Sequence, residues 1–323
     1  MKRLRIATLL SAAMCLGLVT SQALAQAYPN KPIKAVVPFA AGSATDQIGR
    51  AFAQKMSEVL GQPVVVDNRA GVNGMLGADA VAKSAPDGYT ILIGTNSTNA
   101  ALKSLMKKLP YDQDTAFAPI GYMGSVPLIV AVNNEVPAKN LKEFVDMAKA
   151  KPTAVTFASA STSQLVSSEM LASMTGIQMT HVPYKGAAPA ITDVIAGHVD
   201  GFFGDIPGLI GHIKAGKLKP VALAATQRHP LFPDVKTFEE IGVKGVDSDN
   251  WYALFAHKGT SAADLERLNK AVVKALADPS VKSRLLASGA VPSSSSPAEL
   301  AAVLVKDSAK WSQIIKAKNI KDN

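Results

Sequence analysis

The strongest constraint on the fold is an alternation of short β-rich segments with amphipathic helical segments. From Ile33, the segment IKAVVPFA (33–40) predicts a buried strand, and residues 46–60 predict a helix whose apolar side chains share one face. The segments PVVVDN (63–68) and YTILIGT (89–95) predict two further strands. Strands that alternate with helices are typical of an α/β protein, in which helices flank a mostly parallel sheet.

A second alternating set follows Pro119 and predicts a second sheet of the same kind. Its β-rich segments are residues 154–159, 179–184, 199–205 and 218–225, and residues 247–257 predict a strand that returns to the first set. The chain has 323 residues, which favours two domains over one. We therefore expect two lobes joined by more than one crossing, with a cleft between them. We assign residues 26–125 plus 246–323 to lobe 1 and residues 126–245 to lobe 2.

The first 25 residues have the pattern of a secretory signal peptide. A basic start with Lys2 and Arg3 precedes an apolar run over residues 6–19, and the small residues Ala23 and Ala25 follow as a cleavage site. A membrane-spanning helix needs about 20 apolar residues, and this run is shorter. The pattern predicts secretion to the periplasm and cleavage near Ala25.

The cysteine, histidine and charge content exclude several classes of site. The single cysteine, Cys15, lies inside the signal peptide, so we expect neither a disulfide nor a thiolate metal site in the mature chain. The five histidines include no i,i+4 pair beside a carboxylate cluster, so we expect no metal. The net charge is +9, or +6 without residues 1–25, and the remaining basic residues are scattered without interleaved aromatic residues, so we expect no nucleic-acid partner.

Two glycine-rich segments resemble nucleotide-binding loops but differ from them in spacing. GVNGMLG (71–77) reads G-x-x-G-x-x-G, one residue longer between the first two glycines than the dinucleotide motif. GHIKAGKL (211–218) has Leu218 where a phosphate loop needs Ser or Thr for magnesium, and it precedes a strand instead of following one. Neither segment supports a nucleotide site, and we expect no cofactor.

Three predicted strands are each followed by a loop of small hydroxyl or glycine residues and then by a helix start. These loops lie at residues 41–46, 95–99 and 159–164. Free N–H groups at a helix start carry partial positive charge, so such loops could hold a carboxylate without a cationic side chain. Because loops of this kind gather at the carboxyl edge of a sheet, two from lobe 1 and one from lobe 2 predict an anion site in the cleft. Ordinary N-capping explains any one of them taken alone.

The candidate ligand-binding residues come from these loops and from the strand ends beside them. Asp205, at the end of VDGFFGD, reaches the same edge from lobe 2. A carboxylate facing an anionic ligand needs an intervening water, a proton, or an amine or hydroxyl of the ligand. Its alternative role is to cap the helix after Pro207. The full candidate set is Phe39, Gly42, Ser43, Ala44, Thr45, Asn96, Ser97, Thr98, Ala160, Ser161, Thr162, Ser163 and Asp205.

Five longer segments share a family likeness that covers essentially the whole chain after residue 25. They are VPFAAGSATDQIGRAFA (37–53), VVVDNRAGVNGMLGADAVA (64–82), PDGYTILIGTN (86–96), HVPYKGAAPAITDVIAGHVDGFFGD (181–205) and AGKLKPVALAATQRHPLFPDVKTFEEIG (215–242). In this order they resemble the extracytoplasmic receptors of tripartite tricarboxylate transporters, the Bug proteins. The resemblance implies a two-domain clamshell, similar to periplasmic binding proteins, that closes on a small carboxylate.

The resemblance also implies roles for two of the loops. Residues 42–45 and 160–163 match the family's two pincers around the ligand. Many family members read PGG where this chain has Ala41-Gly42-Ser43, and the serine adds a hydroxyl that could change which head group fits.

The expected function is that of a monomeric periplasmic receptor that captures a di- or tricarboxylate, an aromatic acid or a similar anion. It is expected to perform no chemistry and to hand its ligand to membrane transporter subunits. Two alternatives stay open on the sequence. One is a secreted hydrolase that uses one of these serines with a histidine such as His181. The other is a ligand sensor that feeds a signalling partner.

Overall fold

The computed structural model describes residues 28–225, 227–243, 250–317, 319 and 320. The predicted signal peptide, with Cys15, lies outside these residues, as do the first three residues of the predicted strand 247–257. Within the described residues, no helix is both long enough and apolar enough to cross a membrane.

The first sheet has the strand order β2-β1-β3-β10-β4. Strands β1, β2 and β3 pair in parallel, and β10 runs antiparallel to both of its neighbours. We call this sheet and the helices packed on it lobe 1. The strands are β1 (Ile33–Val37), β2 (Val64–Asn68), β3 (Thr90–Thr95), β4 (Phe117–Val126) and β10 (Asn250–His257).

The second sheet repeats this pattern with the order β7-β6-β8-β5-β9. Strands β6, β7 and β8 pair in parallel, and β5 runs antiparallel to both of its neighbours. We call this sheet and its helices lobe 2. The strands are β5 (Leu128–Asn133), β6 (Thr156–Ser159), β7 (Thr180–Pro183), β8 (Gly201–Asp205) and β9 (Leu218–Ala224).

The helices flank both sheets. Short 3₁₀ turns lie at Val72–Gly74 and Glu239–Ile241, and a π-helical segment, Ser97–Ala101, leads into α3. The helices are α1 (Ala44–Leu60), α2 (Met75–Ala82), α3 (Leu102–Leu105), α4 (Leu141–Ala150), α5 (Thr162–Thr175), α6 (Ala187–Ala196), α7 (Ile206–Lys214), α8 (Ala262–Ala277), α9 (Pro279–Ser288) and α10 (Pro297–Ala317).

The predicted fold class, an α/β clamshell of two lobes, is confirmed. In each sheet four strands point the same way and one strand, β10 or β5, is inserted in the opposite direction. The chain passes from the first sheet to the second at Pro127, between β4 and β5, and it is back in the first sheet at β10. Because the like-directed strands end at one edge of each sheet, the loops that follow them are brought to the same side.

The prediction contained no strands between Pro119 and residue 154, whereas the structure has β4 and β5 there. The two strands are separated only by Pro127, so no turn signal marks where one ends and the next begins. Pro119 lies inside β4 and Pro220 inside β9, each beside a shift in the pairing register. Such shifts accommodate a residue that has no N–H to donate to the ladder.

Candidate functional site

A narrow cavity lies where the carboxyl edges of the two sheets face each other. Its volume is about 30 Å³, which is room for about two water molecules. The lobes therefore stand close together, and a larger ligand needs them to separate on entry. The lining residues are Phe39, Ser43, Ala44, Thr45, Thr95, Ser97, Ala160, Ser161, Ser163, Gln164, Gly186, Ala187, Asp205, Asn250 and Tyr252.

Most of the sequence candidates line this cavity. They come from the start of α1, the end of β3, the start of α5 and the end of β8. Their role in ligand binding stays a prediction. The candidates in the lining are Phe39, Ser43, Ala44, Thr45, Ser97, Ala160, Ser161, Ser163 and Asp205.

Four candidates do not line the cavity. Gly42 is exposed, and its N–H donates to Asp46 Oδ2 at 2.9 Å. The side chain of Asn96 caps its own helical turn, accepting from Ser97 N at 2.9 Å. Thr98 is fully buried and its hydroxyl contacts Asn99 Oδ1 at 2.7 Å. Thr162 is also fully buried, and its Oγ1 has no hydrogen-bond partner.

Six lining residues were not among the candidates. Gly186 and Ala187 lie at the start of α6. The sequence does carry a signal for a helix start there, because Gly186 is followed by Pro189 in the first turn of the helix. Thr95 and Gln164 are end residues of two predicted loops but were not selected as candidates. Asn250 and Tyr252 lie at the start of β10. Because β10 runs antiparallel to β3, its start lies at the edge of the sheet where β3 ends, beside the cavity.

Hydrogen bonds cross the cleft between the two lobes. Ser97 Oγ donates to Ser163 Oγ at 3.0 Å and accepts from Ser163 N at 3.1 Å. Gln47 Nε2 donates to the carbonyl of Pro207 at 3.3 Å. At Gly186 the lobes approach so closely that an added Cβ would lie 2.9 Å from the Cβ of Ala40. The structure therefore shows the lobes closed against each other.

The helix starts at the cavity differ in how they are capped. Ser43 caps α1 through a hydrogen bond from Asp46 N to its Oγ at 3.3 Å. The start of α5 has no side-chain cap, since the Oγ of Ser161 lies 3.2 Å from Ser163 Oγ instead. The start of α6, at Gly186, has no side-chain cap either. Lobe 2 thus presents two helix starts whose own N-cap residue makes no side-chain cap, each with the partial positive charge of its first N–H groups; at α5 one of these, Ser163 N, donates across the cleft to Ser97 Oγ.

Asp46 fixes the first loop from inside lobe 1. Its buried carboxylate accepts from Gly42 N at 2.9 Å and from Asn68 Nδ2 at 3.0 Å, and it pairs with Arg50 Nε at 2.9 Å. Burial favours a raised pKa, but the hydrogen bonds from Arg50, Gly42 and Asn68 outweigh it and hold the pKa of Asp46 below its ordinary value. The loop before α1 is therefore held by a negative charge of the protein itself.

We expect Asp46→Ala to lower the free energy of unfolding by about 2–4 kcal/mol at neutral pH, because it leaves buried donors without an acceptor. The lowered pKa means that this stabilisation is present above the ordinary value of 3.8 and is lost as the pH falls below it. The difference between wild type and variant in urea unfolding should therefore shrink in acid. The control is Asp67→Ala, which removes a half-exposed pair with Arg69 and should cost under about 1 kcal/mol. Equal losses in the two variants at neutral pH would contradict the assigned role of Asp46.

The cavity lining contains polar groups and one acidic side chain. Among the described residues that line it, none is Lys, Arg or His, and Asp205 is the acidic one. Burial raises the pKa of Asp205, and hydrogen bonds from Asn250, Tyr252 and Gln164 oppose that rise. Asp205 occupies the N-cap position of α7, but its side chain makes no capping hydrogen bond. Its carboxylate instead faces donors from both lobes.

The serine and histidine that come together in lobe 2 lie outside this cavity. Ser159 Oγ is 2.8 Å from His181 Nε2, and the imidazole stacks on Phe157 with ring centroids 5.0 Å apart. Neither Ser159 nor His181 is among the lining residues. Within the described part of the chain, no group of three or more His, Cys, Asp or Glu side chains is placed to hold a metal ion.

Two α/β lobes that share one strand order, crossed twice by the chain and closed around a polar cavity, define a solute-binding protein of the periplasmic type. The model of the tripartite tricarboxylate transporter family receptor, TctC, matches residues 48–320. The chain therefore belongs to this family of receptors, which includes the Bug proteins, and the resemblance read from the sequence is confirmed.

Known proteins similar to this chain support the assignment. Protein BugT of Bordetella pertussis is 35% identical over 295 residues, which is 90% of each chain. The structure of R. palustris Rpa4515 with adipate is 30% identical, covering 91% of this chain and 99% of that one, with a TM-score of 0.88. MatC of Rhodopseudomonas palustris with bound malate is 31% identical, covering 89% of this chain and 100% of that one, with a TM-score of 0.84.

Proposed function

We propose that this chain is a periplasmic receptor that binds a small carboxylate between its lobes and delivers it to a membrane transporter of the tripartite tricarboxylate type. The observation that carries the proposal is a pair of helix starts without a side-chain cap, at Ser161 and Gly186, that face the cavity. Among the described residues that line this cavity, none has a cationic side chain. The N–H groups at such starts favour an anion, and the hydroxyls of Ser43 and Ser163 add donors from both lobes. Ser97 Oγ, which here donates to Ser163 Oγ and accepts from Ser163 N, would exchange these contacts for the ligand when the lobes part.

The chemistry of two similar proteins agrees with this proposal. Rpa4515 was solved with adipate and MatC with malate, and both compounds are dicarboxylates. Each is about 30% identical to this chain over almost its whole length. A carboxylate is accordingly the ligand class that we assign to the cavity between lobes 1 and 2.

Closure of the lobes supplies the signal that a transporter can read. The cavity is too small for a dicarboxylate to enter between lobes that are held by the contact of Ser97 with Ser163. The ligand therefore enters an open form and favours closure around itself through contacts that need both lobes, with the lobes further apart than in this structure. A transporter that recognises the closed arrangement of both lobes then distinguishes loaded from empty receptor. The signal peptide predicted over residues 1–25 would bring the chain to the periplasm, where these partners meet.

We infer that the bound acid leaves unaltered. The hydrolase alternative requires a serine and a histidine beside the ligand, and the pair that the fold brings together, Ser159 and His181, lies outside the cavity lining. Incubation of the protein with each acid that it binds, followed by mass spectrometry of the supernatant, should return the starting compound. Turnover that is lost in His181→Ala would support the hydrolase instead.

Isothermal titration calorimetry with mono-, di- and tricarboxylates, aromatic acids and amino acids is the direct experiment. We expect saturable one-to-one binding of at least one acid, and none for its uncharged methyl ester. A ligand present at about 100 times its dissociation constant should also raise the free energy of unfolding by about 2.7 kcal/mol. The proposal is wrong if no acid binds, or if an acid and its ester bind equally well.

A further inference from the structure

One corner of the cavity is formed by the carboxyl group of Asp205 and the amide group of Asn250. Asp205 Oδ1, at the end of β8, accepts from Asn250 Nδ2 at 2.5 Å and from Tyr252 Oη at 3.0 Å. Its Oδ2 accepts from Gln164 Nε2 at 3.1 Å. Gln164 is held in this orientation because its Oε1 accepts from Ala160 N at 2.7 Å. The corner is therefore rigid, and it joins the end of β8 in lobe 2 to β10 in lobe 1.

Asn250 leaves one acceptor of this corner without a partner. The residue is only 4% exposed, and its Oδ1 accepts no hydrogen bond. The amide cannot rotate to exchange its two ends, because that would bring Oδ1 against the carboxylate of Asp205 at 2.5 Å. A buried polar atom without a partner is costly, and Asn250 lines the cavity, so a hydrogen-bond donor on the ligand that reached Oδ1 would remove this cost.

The rest of the cavity offers hydrogen-bond donors. The starts of α5 and α6 and the serine hydroxyls on the walls offer donors, which suits a carboxylate. A carboxylate placed at the corner of Asp205 and Asn250 would set negative charge against two acceptors. The two ends of the cavity thus favour a ligand that carries a carboxylate at one end and a hydrogen-bond donor near the other.

We propose that Asn250 and Asp205 form an acceptor subsite that selects carboxylic acids bearing a hydroxyl or an ammonium group over the unsubstituted acids. This inference rests on the proposed function, because it specifies which acids the cavity between the lobes prefers. A hydroxyl and an ammonium group have in common a hydrogen-bond donor that can point at Asn250 Oδ1, with the carboxylate of Asp205 beside it. The ligand class is therefore hydroxy acids or amino acids.

Matched series of acids provide the experiment, with calorimetry on the full mature protein. The series are succinate, malate and aspartate; glutarate, 2-hydroxyglutarate and glutamate; and adipate, 2-hydroxyadipate and 2-aminoadipate. In the series that binds, we expect at least one substituted acid to bind at least about tenfold more tightly than its unsubstituted parent. Whether the hydroxy acid or the amino acid has the higher affinity then identifies the donor that the subsite prefers.

The outcomes separate this inference from the proposed function. If the unsubstituted parent binds as tightly as both of its substituted partners, the subsite is wrong and the carboxylate receptor stands. If no acid of any series binds and no other carboxylate does, the receptor proposal fails and the subsite fails with it.

Variants distinguish recognition from a merely structural role of the corner. Asn250→Leu keeps the approximate shape and removes Oδ1, so the ratio of affinities for substituted and unsubstituted acid should fall to within about twofold of one. A residue that only held the lobes together would weaken both acids alike and leave the ratio unchanged. Asp205→Asn is the second variant, for use if Asn250→Leu does not fold, and it too should lower the ratio. An unchanged ratio in the folded variants would overturn the inference.

The matched control is Asn269→Leu. Asn269 donates to the carbonyls of Ile120 and Ser295 in lobe 1 at 2.7 and 2.8 Å, and it does not line the cavity. The same substitution there should lower the melting temperature and leave the ratio of affinities as in the wild type.

Discussion

Replacing Ser161 by aspartate is expected to weaken carboxylate binding by at least about 100-fold while the folded protein stays at least as stable as the wild type. Ser161 is the N-cap residue of α5, with extended backbone angles of φ −155° and ψ 160°, but its hydroxyl makes no capping hydrogen bond. Aspartate is among the best N-cap residues, and its charge is favourable at the positive end of a helix. The new carboxylate would therefore occupy the N–H groups that we assign to the ligand.

The size of the effect follows from charge repulsion in a closed cavity. Two unit charges about 4 Å apart interact by about 4 kcal/mol at an effective dielectric constant of about 20, which more than accounts for a 100-fold loss. Calorimetry measures the affinity, and thermal unfolding without ligand measures the stability. Ligand affinity and protein stability should thus change independently, with only the affinity falling.

Ser161→Asn is the matched control for this experiment. Asparagine has nearly the shape of aspartate and also caps helices well, but it carries no charge. It should weaken binding by about tenfold at most, so that the difference between the two variants reports the charge alone. If Ser161→Asp binds the acid as tightly as the wild type, the ligand does not lie at the start of α5.

The parts of the fold that were predicted depend on local patterns. The helix expected over residues 46–60 is observed at Ala44–Leu60, because apolar side chains recur on one face and Gly61 ends the helix in a left-handed conformation. The strands around Ile33 and Thr90 were also predicted, since each is a short apolar run bounded by turn residues. β4 and β5 gave no such signal, because their boundary is a crossing between lobes and not a turn.

The candidate site divides in the same way. Loops that follow like-directed strands gather at one edge, and this rule was enough to select Ser43, Ser97, Ser161 and Ser163, which line the cavity. It could not select Asn250, because that residue belongs to the inserted antiparallel strand and meets Asp205 only through tertiary packing.

Two further features of the site depend on the three-dimensional structure and have no signal in the sequence. Gly186 has no side chain to mark a polar site, and its place at the cavity depends on how closely lobe 2 approaches Ala40. The capping of each helix start also depends on rotamers. Ser43 caps its helix and Ser161 does not, although both stand at similar places in their loops.

The second large effect is a loss of protein stability that leaves the cavity between the lobes unchanged. Phe255 is fully buried in β10, in edge contact with Phe117 at a centroid distance of 6.4 Å and tilted against Trp251 at 6.2 Å. Its ring fills the space above Gly94, where an added Cβ would lie 2.7 Å from ring atoms. We expect Phe255→Ala to lower the free energy of unfolding by about 3–5 kcal/mol, because neighbours on both sides hold the resulting cavity open.

Ligand affinity should survive this loss. Phe255 is three residues from Tyr252 along β10, a separation of about 10 Å at about 3.3 Å per residue, and it does not line the cavity. Urea unfolding should show the loss of stability, and calorimetry well below the unfolding transition should show an affinity within about twofold of wild type. Phe255→Leu refills most of the space and should cost under about 1.5 kcal/mol. A matching fall in affinity for Phe255→Ala would mean that packing in the middle of lobe 1 sets the geometry of the cavity. In that case the binding energy could not be assigned to the loops at the sheet edge alone.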